Sequence, residues 1–509
     1  MAIDEVDGRG PAAPASMSWR HEWPTWPDAS SQFADLPFER SLDIVGVTYL
    51  NDTVRHVRGT GCDTFYTSRS QHGALYSTWT DGGLNASDVK LGRAVCKPSA
   101  LCSSSCGPCG GAHGGTNNGS FVQQGWARAA LADGNASPAE GTVSPAIIDA
   151  GVFNGSSALP YQGRYPSASL FFRGVWYYGT YALAELWGSK QWPCKNWCVL
   201  GPFVGFRYSR DNGRTWVEPR RQMSSDFDSF LPSSNLFGES GPVCEGGINR
   251  TTPRPGEPCT QFMNPHDCSP HSCLGKWSGK VKFGAPHIVD LGVELEHSPD
   301  GRAYLIGHGA SAEWQPQSWM QGSEVYLART KRPPAEPNVM LDPAQWEFFA
   351  GHEDAAGGRG VAKWSGSIGQ AAPLFAWENK TGVVTMSYAA AIRKYLMIVG
   401  TPTERSGVGS MSGTFDTYIL ESDAITGPFR IVSYLQAFGP QAYFVNLPTF
   451  AMGDAPADGY LDARLSYSSN FGLRDKALVP HPKGSSYAWN LLPVRLLLAS
   501  GAHVDALSE

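Results

Sequence analysis

The chain has 509 residues, a net charge of -6, 58 glycines, 37 prolines and 12% aromatic residues, which is typical of a large all-β protein with many turns. The mild acidity argues against nucleic acid or an anionic membrane as a general partner, because these partners usually require a basic face. No run of 18 or more apolar residues occurs, so no transmembrane helix is expected.

The chain divides into three predicted parts. Residues 1–34 have no signal-peptide pattern and are predicted to be a flexible leader. Residues 35–500 are predicted to form one catalytic domain, and residues 501–509 a C-terminal tail. Because a chain of this length can bury a large core, folding requires neither a metal nor a disulfide.

Short runs of β-branched and aromatic residues, separated by polar turns, recur along the chain. The turns "SRDNGRTW" and "SPDGRAY" resemble each other. In both, we expect the Asp to cap backbone N–H groups, the Gly to adopt a positive φ, and the following aromatic residue to pack inward.

Strand-rich units recur about every 50 to 70 residues, which suggests propeller blades. About seven blades fit residues 35–500, so the fold class predicted is an all-β, single-domain β-propeller, most simply seven-bladed. A Cys/Gly/Ser-rich segment from about Asn85 to Asn118 and a second excursion from about Ser224 to Trp277 are predicted to be long loop insertions. A pair of β-sandwiches is the alternative fold.

Cysteines and sequons predict a secreted glycoprotein. The chain has 11 cysteines, an odd number that leaves at least one outside intramolecular disulfides. It also has seven Asn-x-Ser/Thr sequons, at Asn51, Asn85, Asn118, Asn135, Asn154, Asn249 and Asn379. The alternative is a reduced cytosolic protein with a chance number of sequons.

Four segments together resemble the seven-bladed propeller polysaccharide lyases, which include ulvan lyases and the fungal L-rhamnose-α-1,4-D-glucuronate lyases. They are "SRSQHGALYSTW", "WYYGTYAL", "GPFVGFRYSRDNGRTW" and "GAPHIVDLGVELEHSPDGRAYLIGHGA", and the likeness extends from about His72 to Ala310. The resemblance implies β-elimination next to a uronate carboxylate. That reaction needs a cation on the carboxylate, a base for the C5 proton and an acid for the leaving oxygen.

The resemblance suggests a set of catalytic residues. His72 and His113 are the candidate histidines, since an imidazole can act as base or acid near neutral pH. One phenol of "VWYYGTYAL" is the expected catalytic tyrosine, with Tyr181 favoured and Tyr178 second. Arg207 is the candidate that would neutralise the carboxylate, because a guanidinium can grip it with two hydrogen bonds. The structural alternatives are a loop histidine, blade-core aromatics and an arginine paired with a neighbouring acid.

Three further predictions concern other ligands. His297 and His308 flank "SPDGRAYLIG" and could contact substrate. His266, Cys268, Cys273 and His287 could hold a structural zinc, although disulfides and loop histidines explain the same residues. No cofactor is required for the chemistry. A calcium ion that helps with the carboxylate is the alternative to zinc, although no acidic Ca²⁺ loop motif is present.

The partner predicted from these residues is a uronic-acid-containing polysaccharide or oligosaccharide, bound by a monomer. A propeller glycoside hydrolase, for example a sialidase, is the main rival, because propellers share the Asp-containing turn. A sialidase needs three arginines on the sialate carboxylate and a Tyr–Glu pair, whereas other hydrolases need paired carboxylates. The candidate acids Asp290, Glu294, Glu296 and Asp416 show no convincing pairing in the sequence. A non-catalytic carbohydrate-binding propeller is the third possibility.

Overall fold

The structure is a computed structural model, which describes part of the chain. It covers residues 36–50, 54–84, 123–131, 145–152, 165–182, 201–217, 281–311, 322–353, 360–402, 415–436, 442–469 and 482–499, together with the short pieces 236–237, 239, 243–244, 277–278, 438–439 and 479–480. The predicted leader (1–34), the C-terminal tail and the cysteine-rich insertion lie outside the described residues, as do His113, His266, Cys268 and Cys273.

The described strands form five sheets of three to six strands, which we call blades 1 to 5. The first two strands of the chain, Ile44–Tyr49 (β1) and Arg55–His56 (β2), belong to blade 5. Blade 1 contains Thr60–Asp63 (β3), Thr67–Arg69 (β4), Ala74–Leu84 (β5), Gln123–Leu131 (β6) and Pro145–Val152 (β7). Blade 2 contains Tyr165–Phe172 (β8), Val175–Ala182 (β9) and Gly201–Ser209 (β10).

The remaining strands follow the same sequential order. A two-stranded ribbon is made by Val243–Cys244 (β11) and Trp277–Ser278 (β12). Blade 3 contains Gly284–Ile288 (β13), Tyr304–Gly309 (β14), Gly322–Thr330 (β15), Trp346–Glu353 (β16), Val361–Ser365 (β17) and Phe375–Thr381 (β18). Blade 4 contains Thr385–Ala389 (β19), Lys394–Pro402 (β20), Phe415–Ser422 (β21) and Arg430–Leu435 (β22). Blade 5 adds Tyr443–Asn446 (β23), Tyr460–Ser468 (β24) and Asn490–Leu498 (β27), and a second ribbon is made by Val479–Pro480 (β25) and Lys483–Ser485 (β26).

Helices are few and short in the described part of the chain. One α-helix spans Pro337–Leu341, and single 3₁₀ turns occur at Val293–Leu295, Pro343–Gln345, Ile368–Gln370, Ala390–Ile392 and Thr449–Ala451. None of these helices is long and apolar enough to cross a membrane.

The ring is closed by the two ends of the domain. β1 pairs antiparallel with β27, so the N-terminal strand completes the last blade. The innermost strands β4, β8, β13, β19 and β23 follow one another around the axis and pack side by side. The all-β propeller prediction is therefore confirmed, and its closure joins the first and last strands of the domain.

The number of blades differs from the seven predicted: the structure forms five. The prediction counted strand-rich units along the chain, but blade 3 uses six strands. Its extra strands β17 and β18 pair with β16 and β15 and so enlarge that blade. The second long excursion contributes only the ribbon β11–β12 to the described strands.

Packing between blades explains why the inner strands carry few exposed residues. All eight residues of β8 are buried, and so are four of the five residues of β13. Both faces of each inner strand meet a neighbouring blade, so these strands show no simple alternation of apolar and polar residues. Large aromatic side chains fill the spaces, with Trp79, Trp176, Trp346 and Trp489 fully buried.

The two Asp-containing turns have the predicted conformation. In the first, the backbone N–H of Thr215 donates to Asp211 (2.8 Å), and Gly213 has φ 89°. The indole of Trp216 packs on Trp176 with ring centroids 5.0 Å apart. In the second turn Gly301 has φ 72° and the Arg302 N–H donates to Asp300. These turns fix blade edges and carry no information about the reaction.

Candidate functional site on the propeller axis

A pocket lies where the five inner strands meet, and every blade contributes to its wall. It is open to solvent, and the space not filled by protein atoms is about 380 Å³ when the solvent at its mouth is included. Its lining residues are Tyr66, Thr67, Ser169, His287, Ile288, Asp290, Thr385, Met386, Ser387, Asn446, Leu447 and Pro448. Because most of these side chains carry hydroxyl, amide, imidazole or carboxylate groups, the pocket suits a polar ligand.

Tyr66 and His287 form the centre of this wall. Their ring centroids are 4.0 Å apart, and His287 also lies against Phe444 at 5.3 Å. Tyr66 is 7% exposed and His287 is 2% exposed. Within the described residues, neither the Tyr66 hydroxyl nor either ring nitrogen of His287 has a hydrogen-bond partner. Buried polar atoms without partners are rare and costly, so these atoms are candidates for ligand contacts.

Both groups are uncharged at neutral pH. Burial, followed by the nearby His308, lowers the pKa of His287 to about 3. Burial raises the pKa of Tyr66 well above its ordinary value, and the neighbouring Tyr181 and Asp63 raise it further. A neutral imidazole and a neutral phenol can each donate a hydrogen bond and accept one, which matches sugar hydroxyl groups.

Asp290 places a carboxylate in the same pocket. It follows β13 and accepts hydrogen bonds from the backbone N–H and the hydroxyl of Thr449, both at 2.8 Å, and from the Gly292 N–H at 3.2 Å. Burial nevertheless raises its pKa above the ordinary value. A carboxyl group that holds its proton more tightly can serve as a general acid.

Asp63 supplies a second carboxylate beside Tyr66. It is buried at the end of β3 and accepts a hydrogen bond from the Tyr487 hydroxyl at 3.1 Å. Its negative charge is close enough to raise the pKa of Tyr66. Tyr66 therefore lies near the Asp63 carboxylate and lines the axial pocket together with Asp290.

The structure brings three of the predicted catalytic residues into one region. Tyr178 and Arg207 are register partners on β9 and β10, and the guanidinium carbon lies 5.3 Å from the Tyr178 ring centre. The Tyr178 hydroxyl donates to the Gly125 carbonyl at 3.1 Å. Tyr181 is buried against Tyr165, near Tyr66. None of the three is among the residues that line the axial pocket.

His72 is not brought near these residues. It is exposed in the turn between β4 and β5. Tyr66 precedes β4 and His72 follows it, so the two lie at opposite ends of that strand, and Tyr181 lies near Tyr66. His72 is therefore at the other end of β4 from Tyr66 and its neighbour Tyr181. The catalytic role of each residue stays a prediction.

The two predicted substrate contacts differ in exposure. His297 has a one-third exposed side chain, lies 3.6 Å from Glu296 and packs beside Tyr388. His308 is fully buried on β14, next to His287. His308 is not among the residues that line the axial pocket.

Of the predicted zinc ligands, the structure describes His287, which lines the axial pocket as described above. Another group of described residues, Asp43, Glu421 and Asp423, has carboxylate atoms within 4.8 Å of one another. The ammonium group of Lys394 bonds Asp43 and Asp423 and lies 3.4 Å from Glu421. A lysine cation thus already compensates these acids.

Sequence reasoning did not select Tyr66, Asp63 or Ser387 as site residues. Tyr66 and Asp63 stand in "GCDTFYTSRS", directly before the quoted His72 motif. The available signal was an acid and an aromatic residue at the start of an inner strand. It becomes meaningful only when the ring order of the blades is known.

Comparisons with known proteins were made for the whole chain. No protein-family model and no curated protein matches it. Solved structures similar to this chain include an α-L-arabinofuranosidase from Podospora anserina in complex with cellotriose, at 7% identity and a TM-score of 0.35, covering 87% of this chain and 93% of that one. A GH43 enzyme from Xanthomonas citri complexed with xylose has 10% identity and a TM-score of 0.35, covering 89% and 95%. A family 117 glycoside hydrolase from Zobellia galactanivorans has 8% identity and a TM-score of 0.35, covering 92% and 94%.

Proposed function

We propose that this protein is a carbohydrate-active enzyme whose substrate enters the axial pocket and contacts Tyr66 and His287. The observation that carries the proposal is the pair of buried, uncharged side chains whose polar atoms have no partner among the described residues. A sugar that bonds these atoms would recover the free energy that burying them costs. The wall of hydroxyl and amide groups supports the same class of ligand.

Hydrolysis of a glycosidic bond is the reaction that we infer for this pocket. Glycosidases use two carboxyl groups on either side of the scissile bond, one as acid and one as base or nucleophile. Asp290 lines the pocket and has the raised pKa expected of the acid. Asp63 is not among the lining residues, but it is the second buried carboxylate near Tyr66 and is the partner that we assign to Asp290. In this proposal Tyr66 and His287 bind the sugar and orient its glycosidic bond toward the two carboxyl groups.

β-Elimination at a rhamnose–glucuronate linkage is the second candidate. The Tyr66–His287 contact favours it, because propeller lyases use a tyrosine and a histidine. The raised pKa of Tyr66 disfavours a phenolate base, and no Arg or Lys is among the described residues that line the pocket. Elimination would therefore require Arg207 or another cation to reach the uronate carboxylate.

One assay separates the two reactions. The protein is incubated with arabinoxylan, gum arabic and ulvan, and both reducing ends and the ultraviolet absorbance of an unsaturated uronate are followed. New reducing ends without that absorbance support hydrolysis, whereas a rise in absorbance shows elimination. If none of the polymers yields either product, the proposed function fails for these substrates.

Variants test the assigned residues. Asp63→Asn and Asp290→Asn are each expected to lower kcat at least about 100-fold, because each removes a proton-transfer group. Asp462→Asn is the matched control, since Asp462 pairs with Arg495 on blade 5 at 2.9 Å and is outside the pocket. Equal activity of the Asp63, Asp290 and control variants, with thermal midpoints unchanged, would exclude both carboxylates from catalysis.

A further inference from the structure

A second group of polar side chains lies at the opposite end of the inner strand β4 from Tyr66. There, the side-chain amide of Gln71 donates to Oε2 of Glu294 at 3.2 Å. The backbone N–H of Arg173 donates to the same oxygen at 3.1 Å. Blades 1, 2 and 3 therefore meet at the Glu294 carboxylate.

Two atoms of this group have no hydrogen-bond partner in the described structure. One is the other carboxylate oxygen of Glu294, Oε1, and the second is Nε of Arg69 on β4. Both atoms are buried, and β4 packs directly against the 3₁₀ turn that carries Glu294. An acceptor and a donor are thus left unused within one small region, where each costs free energy unless a ligand or water bonds it.

The backbone that holds Glu294 is strained. Glu294 has φ 49° and Leu295 has φ 65°, next to Gly292 with φ 83°. Residues other than glycine are disfavoured in the left-handed region, so this conformation must be imposed by its surroundings. The buried Leu295 side chain anchors the turn, and the Glu294 carboxylate is held against blades 1 and 2 as a result.

We propose that Glu294 and Arg69 form a second saccharide-binding site, which bonds two neighbouring hydroxyl groups of one sugar. A hydroxyl group can donate to Oε1 of Glu294 while its neighbour accepts from Nε of Arg69. A simple anion cannot supply the donor that Glu294 needs, and a metal cation cannot supply the acceptor that Arg69 needs. A vicinal diol supplies both.

This site is separate from the axial pocket. Glu294 is held by Gln71, which follows β4, whereas Tyr66 stands directly before that strand. Arg69 ends β4, two residues after Thr67, which lines the pocket. Neither Arg69 nor Glu294 lines the axial pocket. Binding at the second site can therefore be measured when the first is disabled, and failure of the catalytic proposal would not affect the result.

The test uses the full chain with His287→Phe, which removes the imidazole from the axial pocket. Xylotriose, cellotriose and a rhamnosyl-glucuronate disaccharide serve as probes, with binding followed by saturation-transfer NMR and calorimetry. We expect at least one probe to bind saturably. Adding Glu294→Gln, which replaces the Oε1 acceptor by an amide donor, or Arg69→Gln is expected to weaken that binding at least about tenfold.

The matched controls are Glu336→Gln and Arg210→Gln, which alter an exposed ion pair at 3.2 Å elsewhere on the surface. These variants should leave the affinity unchanged. The proposal is overturned if no probe binds the His287→Phe protein, or if the Glu294 and Arg69 variants bind as well as the controls. Water alone at the two atoms would give the first of these outcomes.

Discussion

The hydroxyl group of Tyr66 shows how a single atom can separate a stabilising role from a functional one. Its phenol ring packs against His287 and Phe444, so the ring contributes to the core. The hydroxyl is buried without a partner among the described residues and therefore contributes nothing favourable to folding. Tyr49 offers the opposite case, because its buried hydroxyl bonds Ser433 at 2.8 Å.

We therefore predict that Tyr66→Phe leaves the free energy of unfolding unchanged or slightly raises it, whereas Tyr49→Phe lowers it by about 1 to 2 kcal/mol. Urea unfolding followed by tryptophan fluorescence measures both. The same Tyr66→Phe protein should show a higher KM for any substrate of the axial pocket. A loss of stability in Tyr66→Phe as large as that in Tyr49→Phe would mean that the hydroxyl has a structural partner.

Residue roles were predictable only where local sequence decides them. The turn around Asp211 could be predicted because its hydrogen bonds join residues four positions apart. The Tyr66–His287 contact joins residues from two blades, and no local pattern encodes such a pair. His72 stands in a motif of the expected type, but the turn places it on the surface.

At the scale of elements, the start of β13 depends on a carboxylate from another segment. Oε1 of Glu239 accepts the backbone N–H of Lys282 at 2.7 Å, and Oε2 accepts that of Phe283 at 3.3 Å. Burial raises the pKa of Glu239 to about 7, despite these hydrogen bonds and the charge of Lys282. Glu239 thus positions the strand that carries His287.

This raised pKa predicts a pH-dependent stability. Between about pH 4.5 and about pH 7 the folded state holds the Glu239 proton more tightly than the unfolded state does. The free energy of unfolding therefore falls as the pH rises through this range. Relative to Glu239→Gln, which does not titrate, the wild type should lose about 3 kcal/mol between pH 4 and pH 8. Urea midpoints at several pH values measure the difference.

Glu336→Gln serves as the control for this series, because it makes the same chemical change at a largely exposed glutamate. Comparing slopes removes any pH-independent cost of placing an amide beside two backbone donors. Parallel pH profiles for wild type and Glu239→Gln would show that Glu239 has an ordinary pKa in the folded protein.

Elements were predicted better than their grouping into blades. The run "SLDIVGVTYL" became β1, and "VWYYGTYA" became β9, because short aromatic and β-branched runs form strands in most contexts. The extra strand β18 joins blade 3 because Phe375 and Trp377 pack on Phe38 and Tyr418. The contacts that hold β18 in this position come from the N-terminal segment and blade 4. Local strand propensity does not reveal such contacts.

For the whole molecule, closure of the ring depends on how the N-terminal segment is attached. Residues 39–41 first bond the edge of blade 4, where the Ser41 N–H donates to the Ile431 carbonyl at 2.8 Å. β1 then enters blade 5 and pairs with β27. The segment thus joins the last two blades. Lys394 and the three acids that it contacts, Asp43, Glu421 and Asp423, form a charge cluster at this junction.

Lys394 links the two blades by charge. Its ammonium bonds Asp43, just before β1, and Asp423 at 2.5 Å, and it lies 3.4 Å from the fully buried Glu421. Removing the only positive partner of a buried carboxylate usually costs about 3 to 5 kcal/mol, because the remaining charge stays buried. Glu421 also has Arg430 at 3.7 Å, so the expected cost lies at the lower end of that range.

We predict that Lys394→Met lowers the free energy of unfolding by about 3 kcal/mol and makes β1 the first strand to exchange its amide protons. Hydrogen exchange followed by mass spectrometry would locate the opening, with Lys331→Met on the exposed surface as the control. The double variant Lys394→Met, Glu421→Leu should recover part of the loss, because it removes the stranded charge together with its partner. If β1 exchanges no faster in Lys394→Met than in the control, the ring is held closed by the β1–β27 ladder and apolar packing, and the charge cluster has no part in it.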